Sequence, residues 1–142
     1  MGSTELDRLV RIGQLKSEPP AKAELETLMH SGEARLADAS NSNLAIESRF
    51  DLAYNAAHAL SLAALRFHGY RSESRYLVFQ MLAHTDGLAP EQWRVLDSAH
   101  RKRNAVEYEG IVDVDEQLVE AIIRVATEVG KRVRKLTANM RS

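Results

Sequence analysis

The stretch from Leu52 to Phe67 constrains this chain more than any other feature. It reads LAYNAAHALSLAALRF, apolar on nearly every side of a helix. A helix with no broad polar face cannot lie on a surface; it needs neighbours all round and becomes a central, buried element. The remaining chain supplies those neighbours at helical period. Leu6, Leu9 and Val10 belong to a first segment from about Thr4 to Lys16, and Leu25, Leu28, Met29 and Leu36 share a face of a second from Pro20 to Asp38. The third runs from about Leu44 to His68, a shorter one from Arg75 to Thr85, and a fifth from Pro90 to Glu109. The last reaches about Ala138 and carries the stripe Leu118, Ile122, Val125, Val129, Val133 and Leu136.

The punctuation between these segments is sparse, with seven glycines and three prolines in 142 residues. Pro19-Pro20 separates the first two helices, and the run Ala39–Asn43 (ASNSN) connects the second to the third. Gly69 and Gly110 are stop signals, and Asp113 with Glu116 three residues on forms a capping-box start for the last helix. Gly32 is expected to weaken the second helix locally. The fold class expected is all-α, with residues 1–19 as a helical extension and residues 20–142 as a single-core domain.

Charge and composition narrow the function. A formal net charge of −1 does not suit a generally basic nucleic-acid binder, so any phosphate contact needs a local cluster. The absence of cysteine excludes disulfides, zinc–thiolate sites and thiol catalysis, and fits a reducing, cytoplasmic setting. No apolar stretch reaches the ~20 residues that span a bilayer. The start MGSTELDRL has early acids and no apolar run, so neither a secretory signal nor a membrane partner is expected. His30, His68 and His84 lack metal-ligand spacing, and neither a G-x-S-x-G turn nor a phosphate- or dinucleotide-binding glycine loop occurs. No metal or cofactor is expected.

The one site-like segment is Arg101–Gly110, RKRNAVEYEG. Leu96, Ala99, Arg103 and Val106 recur at three- and four-residue steps, so Arg103 interrupts an apolar seam. A guanidinium there needs a partner: a carboxylate such as Glu107, a second subunit, or a phosphate, which its planar fork grips through two oxygens. His100, Asn104 and Glu107 share the arginine's face, and Tyr108 lies one turn beyond Asn104. Asn104 can hold a further oxygen, His100 can move a proton near neutrality, and Arg101 and Lys102 add local positive charge. On the third helix, Asp51, Asn55 and His58 form a polar stripe down an otherwise buried element. Such a stripe is either a satisfied hydrogen-bond network or a support for a site. Lys131, Arg132, Arg134 and Lys135 make a basic end on the last helix, which suits the helix dipole or an RNA backbone.

The segment SRFDLAYNAAHALSLAALRFHGYR, with its early tyrosine and glycine stop, followed by a helix ending RKRNAVEYEG, resembles the HEPN superfamily. These are small helical domains of prokaryotic toxins, of partners of minimal nucleotidyltransferases and of larger RNA-cleaving proteins. The similarity covers roughly Pro20 to Leu136 and is nearest to a bacterial branch reading R-K-R-N-x-x-E-Y. It implies an up-and-down bundle of about five helices that dimerises, with a metal-independent RNA-cleaving site where two motif helices meet. Arg103 matches the family's arginine and Asn104 its polar position, but Tyr108 stands where the histidine belongs. A phenol with a pKa of about 10 is a poor base at neutral pH, and His100 lies on the other side of the motif. Three functions follow. The first is a homodimeric module that binds RNA or nucleotide through Arg103 and Asn104, with Arg101 and Lys102 contributing, in a toxin–antitoxin or nucleotidyltransferase-partner context. By analogy with superfamily toxins silenced by nucleotide transfer, Tyr108 is then an acceptor. The second is a ribonuclease toxin using Arg103, Tyr108 and His100. The third is a purely structural helical partner.

Overall fold

The computed structural model describes residues 2–85, 87–105 and 114–140. They form an almost entirely helical protein: α1 (Gly2–Arg11), α2 (Lys22–Ala39), α3 (Ile46–Phe67), α4 (Arg75–Gln80), α5 (Leu82–Thr85), α6 (Pro90–Asn104) and α7 (Glu116–Thr137). The expected central helix is α3. Ala53, Tyr54, Ala57, Leu60, Ala63 and Ala64 are all at most 1% exposed, because α2, α6 and α7 enclose them. Leu25 and Met29 of α2, Leu96 and Ala99 of α6, and Val119, Ile122, Ala126, Val129 and Val133 of α7 complete this core. Leu65 at the far end of α3 joins a second cluster, with Leu6 and Leu9 of α1, Leu15, Tyr70, and Leu77, Val78 and Met81 of the α4 region. The N-terminal helix is thus fastened to the bundle through apolar contacts. Among the described residues no helix is long and apolar enough to cross a membrane.

Some details differ from the pattern. A two-residue antiparallel pair, β1 (Lys16–Ser17) and β2 (Tyr70–Arg71), joins the segment after α1 to the turn after α3. Gly69 makes that turn at φ 92°, and its carbonyl accepts the Glu18 N–H at 2.9 Å. The expected helix over Arg75–Thr85 is interrupted at Met81. The step is slight: the Met81 N–H still bonds Leu77, and its carbonyl receives the N–H groups of both His84 and Thr85. The cap of α7 is Asp115, whose carboxylate accepts the Leu118 N–H at 2.8 Å. Asp113, the expected cap, and the stop at Gly110 lie outside the described residues. Buried Arg49 ties three elements, donating to the Ala39 carbonyl at the end of α2 and, at 2.7 Å, to Glu116 at the start of α7.

Candidate functional site

The site forms where α3, α4 and α6 meet. Leu96 and Ala99 bury the inner face of α6, which turns His100, Arg103 and Asn104 toward Tyr54 of α3. Tyr54 is fully buried, and its hydroxyl lies 3.0 Å from His100 Nδ1. The two rings stack at 6.3 Å, with Phe50 on the tyrosine and Phe79 meeting both at their edges. The Asn104 amide nitrogen is 3.4 Å from His100 Nε2. A donor there makes Nε2 the acceptor and leaves Nδ1–H to donate to the tyrosine oxygen. Burial, the largest effect, holds His100 below the ordinary histidine range against the opposite pull of Asp97, and Arg103 and Arg75 push the same way as burial. His100 is therefore a neutral, oriented imidazole at physiological pH.

Arg103 does not enter the apolar seam. It is half-buried at the rim, with its guanidinium carbon 5.0 Å from the centroid of the Tyr54 ring. A cation over a tyrosine face is attracted by the ring's negative face while its alkyl stem rests on apolar surface. A second guanidinium, that of Arg75 at the start of α4, lies 5.4 Å from the same centroid. Asn55 fixes it: the Asn55 side-chain oxygen accepts Arg75 Nη1 at 2.9 Å, while its amide donates to the Asp51 carbonyl at 2.8 Å.

The polar stripe of α3 is only partly as expected. Asp51 is exposed and contributes its main-chain carbonyl to the Asn55 bond, so the stripe is not buried at its start. The cover over this face comes from α4 and α6, which reach Asn55 and His58 but leave Asp51 in solvent. His58 packs edge-on against Phe79. Arg101 is exposed and pairs with Asp97 on its own turn at 2.9 Å, so it stands apart from the aromatic cluster. Lys102 is half-buried. Tyr108, Glu107 and Val106 lie outside the described residues. On α7, Arg134 is engaged by Glu26 and Glu33 at 2.9 and 2.8 Å, and Arg132 by Glu128. These pairs commit the two arginines of the basic end to carboxylates, while Lys131 and Lys135 are exposed. Among the described residues no three His, Asp or Glu side chains converge as a metal site.

Sequence reasoning missed Arg75, Tyr76 and Phe79 as neighbours of the motif helix, and read Tyr54 only as part of a pattern. No local signal marks them, since α4 is placed by tertiary packing alone.

His58 carries a pH prediction. Burial, with Arg75 and Arg103 adding to it, lowers its pKa to about 4. In the unfolded chain an imidazole takes a proton near pH 6.5, so across this window the unfolded state holds more protons and stability falls with pH. The loss by about pH 4 is ~3 kcal/mol, and about two-thirds of it has accrued at pH 5. His58→Phe is expected to reduce, without abolishing, the fall of the urea midpoint from about pH 6.5 to pH 5, because His100 is lowered in the same sense and carboxylates remain mostly charged there. A wild-type midpoint that does not change over that range rules the coupling out.

Comparison with protein-family models, with curated proteins and with solved structures returns no match.

Proposed function

We propose that this chain is a HEPN-like domain that binds RNA or a nucleotide through Arg103 and Asn104. In this proposal it acts as a homodimer in the cytoplasm, in a toxin–antitoxin pair or beside a nucleotidyltransferase. The observation that carries it is the placement of Arg103 on the Tyr54 ring, with Asn104 and the neutral His100 in contact beside it. A guanidinium and an amide on one rim offer several N–H donors to phosphate oxygens, and the aromatic floor holds them in place.

Fluorescence anisotropy with a short single-stranded RNA tests it. Arg103→Gln is expected to weaken binding about 10- to 100-fold, the scale of a lost charge-assisted bond. Added salt is expected to weaken wild-type binding further. Wild-type protein that binds neither RNA nor nucleotide at low salt leaves a purely structural helical partner. A second reading, metal-independent ribonuclease activity, needs the neutral His100 to exchange the Asn104 donor at Nε2 for a substrate proton. Cleavage of RNA by wild type in the presence of a chelator, lost in Arg103→Ala, selects that activity over binding alone. Sedimentation at micromolar concentration tests the dimer, which a monomer excludes.

A further inference from the structure

We propose that Arg75 and Tyr76, at the start of α4, complete a nucleoside-phosphate subsite with Arg103: the two guanidinium groups grip one phosphate, and the Tyr76 ring stacks on the adjoining base. This rests on the nucleotide-binding reading of Arg103 and extends it to residues outside the RKRN motif.

Three features carry it. The first is the juxtaposition of two cations. Arg75 and Arg103 sit 5.4 and 5.0 Å from the centroid of one buried tyrosine ring, although they come from different helices. Among the described residues no carboxylate lies within ion-pairing distance of Arg75; its hydrogen-bond partner is the neutral Asn55 side chain. Arg75 differs in this from Arg66, Arg71 and Arg134, which are matched by acids: Arg66 and Arg71 by Glu18 and Glu24, and Arg134 by Glu26 and Glu33. Two cations beside one ring raise the positive potential around it, which favours binding of an anion there. Their field already reaches the neighbouring groups, since both arginines disfavour protonation of His58 and His100.

The second feature is the orientation of Arg75. Asn55 occupies one nitrogen of its fork and is itself held by the Asp51 carbonyl, so the guanidinium is set in place before any ligand arrives. A preset fork binds phosphate at lower ordering cost than a mobile lysine does. The third is Tyr76. The residue is 40% exposed, one of three large apolar residues so open to solvent among the described residues. Its ring lies 5.9 Å from the His100 ring, tilted by 39°, and Gln80 donates to its hydroxyl at 3.0 Å. A fixed, open aromatic face beside a pair of cations is the chemistry that receives a nucleobase, whatever its identity.

The test uses the full chain and three probes: a labelled single-stranded RNA, an abasic oligomer of the same length, and AMP as competitor. Tyr76→Ala is expected to weaken RNA and AMP about tenfold, the order of one lost base–aromatic stack, and to leave the abasic oligomer unchanged. Tyr76→Phe keeps the ring and is expected to bind as wild type does. Arg75→Gln is expected to weaken all three probes alike, with thermal midpoints of the variants near that of wild type. AMP binding comparable to RNA assigns a free nucleotide, and binding of RNA alone assigns a strand; either supports the subsite. If Arg103→Gln loses RNA while Tyr76→Ala and Arg75→Gln bind as wild type, the subsite is wrong and the function of Arg103 stands. If wild type binds none of the probes, both fall together.

Discussion

Arg66→Met is expected to lower folding stability by about 3–5 kcal/mol, the scale of removing one partner from a buried ionic network. Arg66 lies near the end of α3 with only 1% of its side chain exposed. Its guanidinium nevertheless meets a partner at every nitrogen. Nε donates to Glu24 at 2.9 Å, Nη1 to the carbonyls of Glu18 and Tyr70 at 2.8 and 3.3 Å, and Nη2 to the carbonyl of Pro19 at 2.8 Å. The Glu18 carboxylate is a further 3.3 Å contact. One side chain thereby fastens the segment between β1 and α2 to the end of α3. Methionine fills a similar volume and donates nothing, so three main-chain carbonyls lose their donor at once. Burial raises the Glu24 carboxyl, but the bonds from Arg71 and Arg66 outweigh it and hold it below the usual range. Arg71 would still neutralise Glu24 in the variant, so most of the loss falls on the carbonyls. Urea denaturation reads the effect, and Arg71→Met is the control: partly exposed, it is expected to cost less than ~1 kcal/mol. An Arg66→Met variant within ~1 kcal/mol of wild type removes the network from any account of this fold.

That network also shows where the sequence was legible. The Leu52–Phe67 stretch announced a buried helix because its apolar residues leave no solvent face. It could not announce that Arg66, inside the same run, is a clamp, because every partner but the neighbouring Tyr70 comes from residues 18–24. The β1–β2 pair was invisible for a related reason: two residues cannot display an alternating pattern. At the site, His100, Arg103 and Asn104 were grouped correctly by three- and four-residue spacing, since that relation is internal to one helix. Tyr54 and Arg75 meet them only through the packing of α3 and α4 against α6. Asp51 was assigned to a buried stripe because its spacing matched Asn55 and His58. Spacing fixes a face but not how far a neighbouring helix covers it. The cap of α7 had two candidates in the run DVDE, and the one that bonds is Asp115, three residues before Leu118.

Gly32 marks the second large effect. A glycine inside α2 costs helix stability relative to alanine, and nothing local in α2 compensates for it. Packing supplies one. A Cβ at position 32 would lie 2.5 Å from Leu60 Cγ, and one at Gly130 of α7 would lie 3.3 Å from a Leu60 methyl. Two glycines thus let α2 and α7 both close on one fully buried leucine of α3. The clash at position 32 involves the branch carbon, which a rotation of the terminal methyls does not relieve. Leu60→Ala is expected to cost about 2–5 kcal/mol through the lost burial and the space left behind. Gly32→Ala alone is expected to cost ~1–2 kcal/mol, strain exceeding the gain in helix propensity. In the double variant the new methyl enters the volume that the leucine vacated. The strain then disappears and the propensity gain remains, so the pair should be more stable than the sum of its parts by ~2 kcal/mol. Additive losses in a urea-denaturation cycle would show that α2 can move away from α3 at no cost, and that the close approach at Gly32 is not what sets the spacing of the bundle.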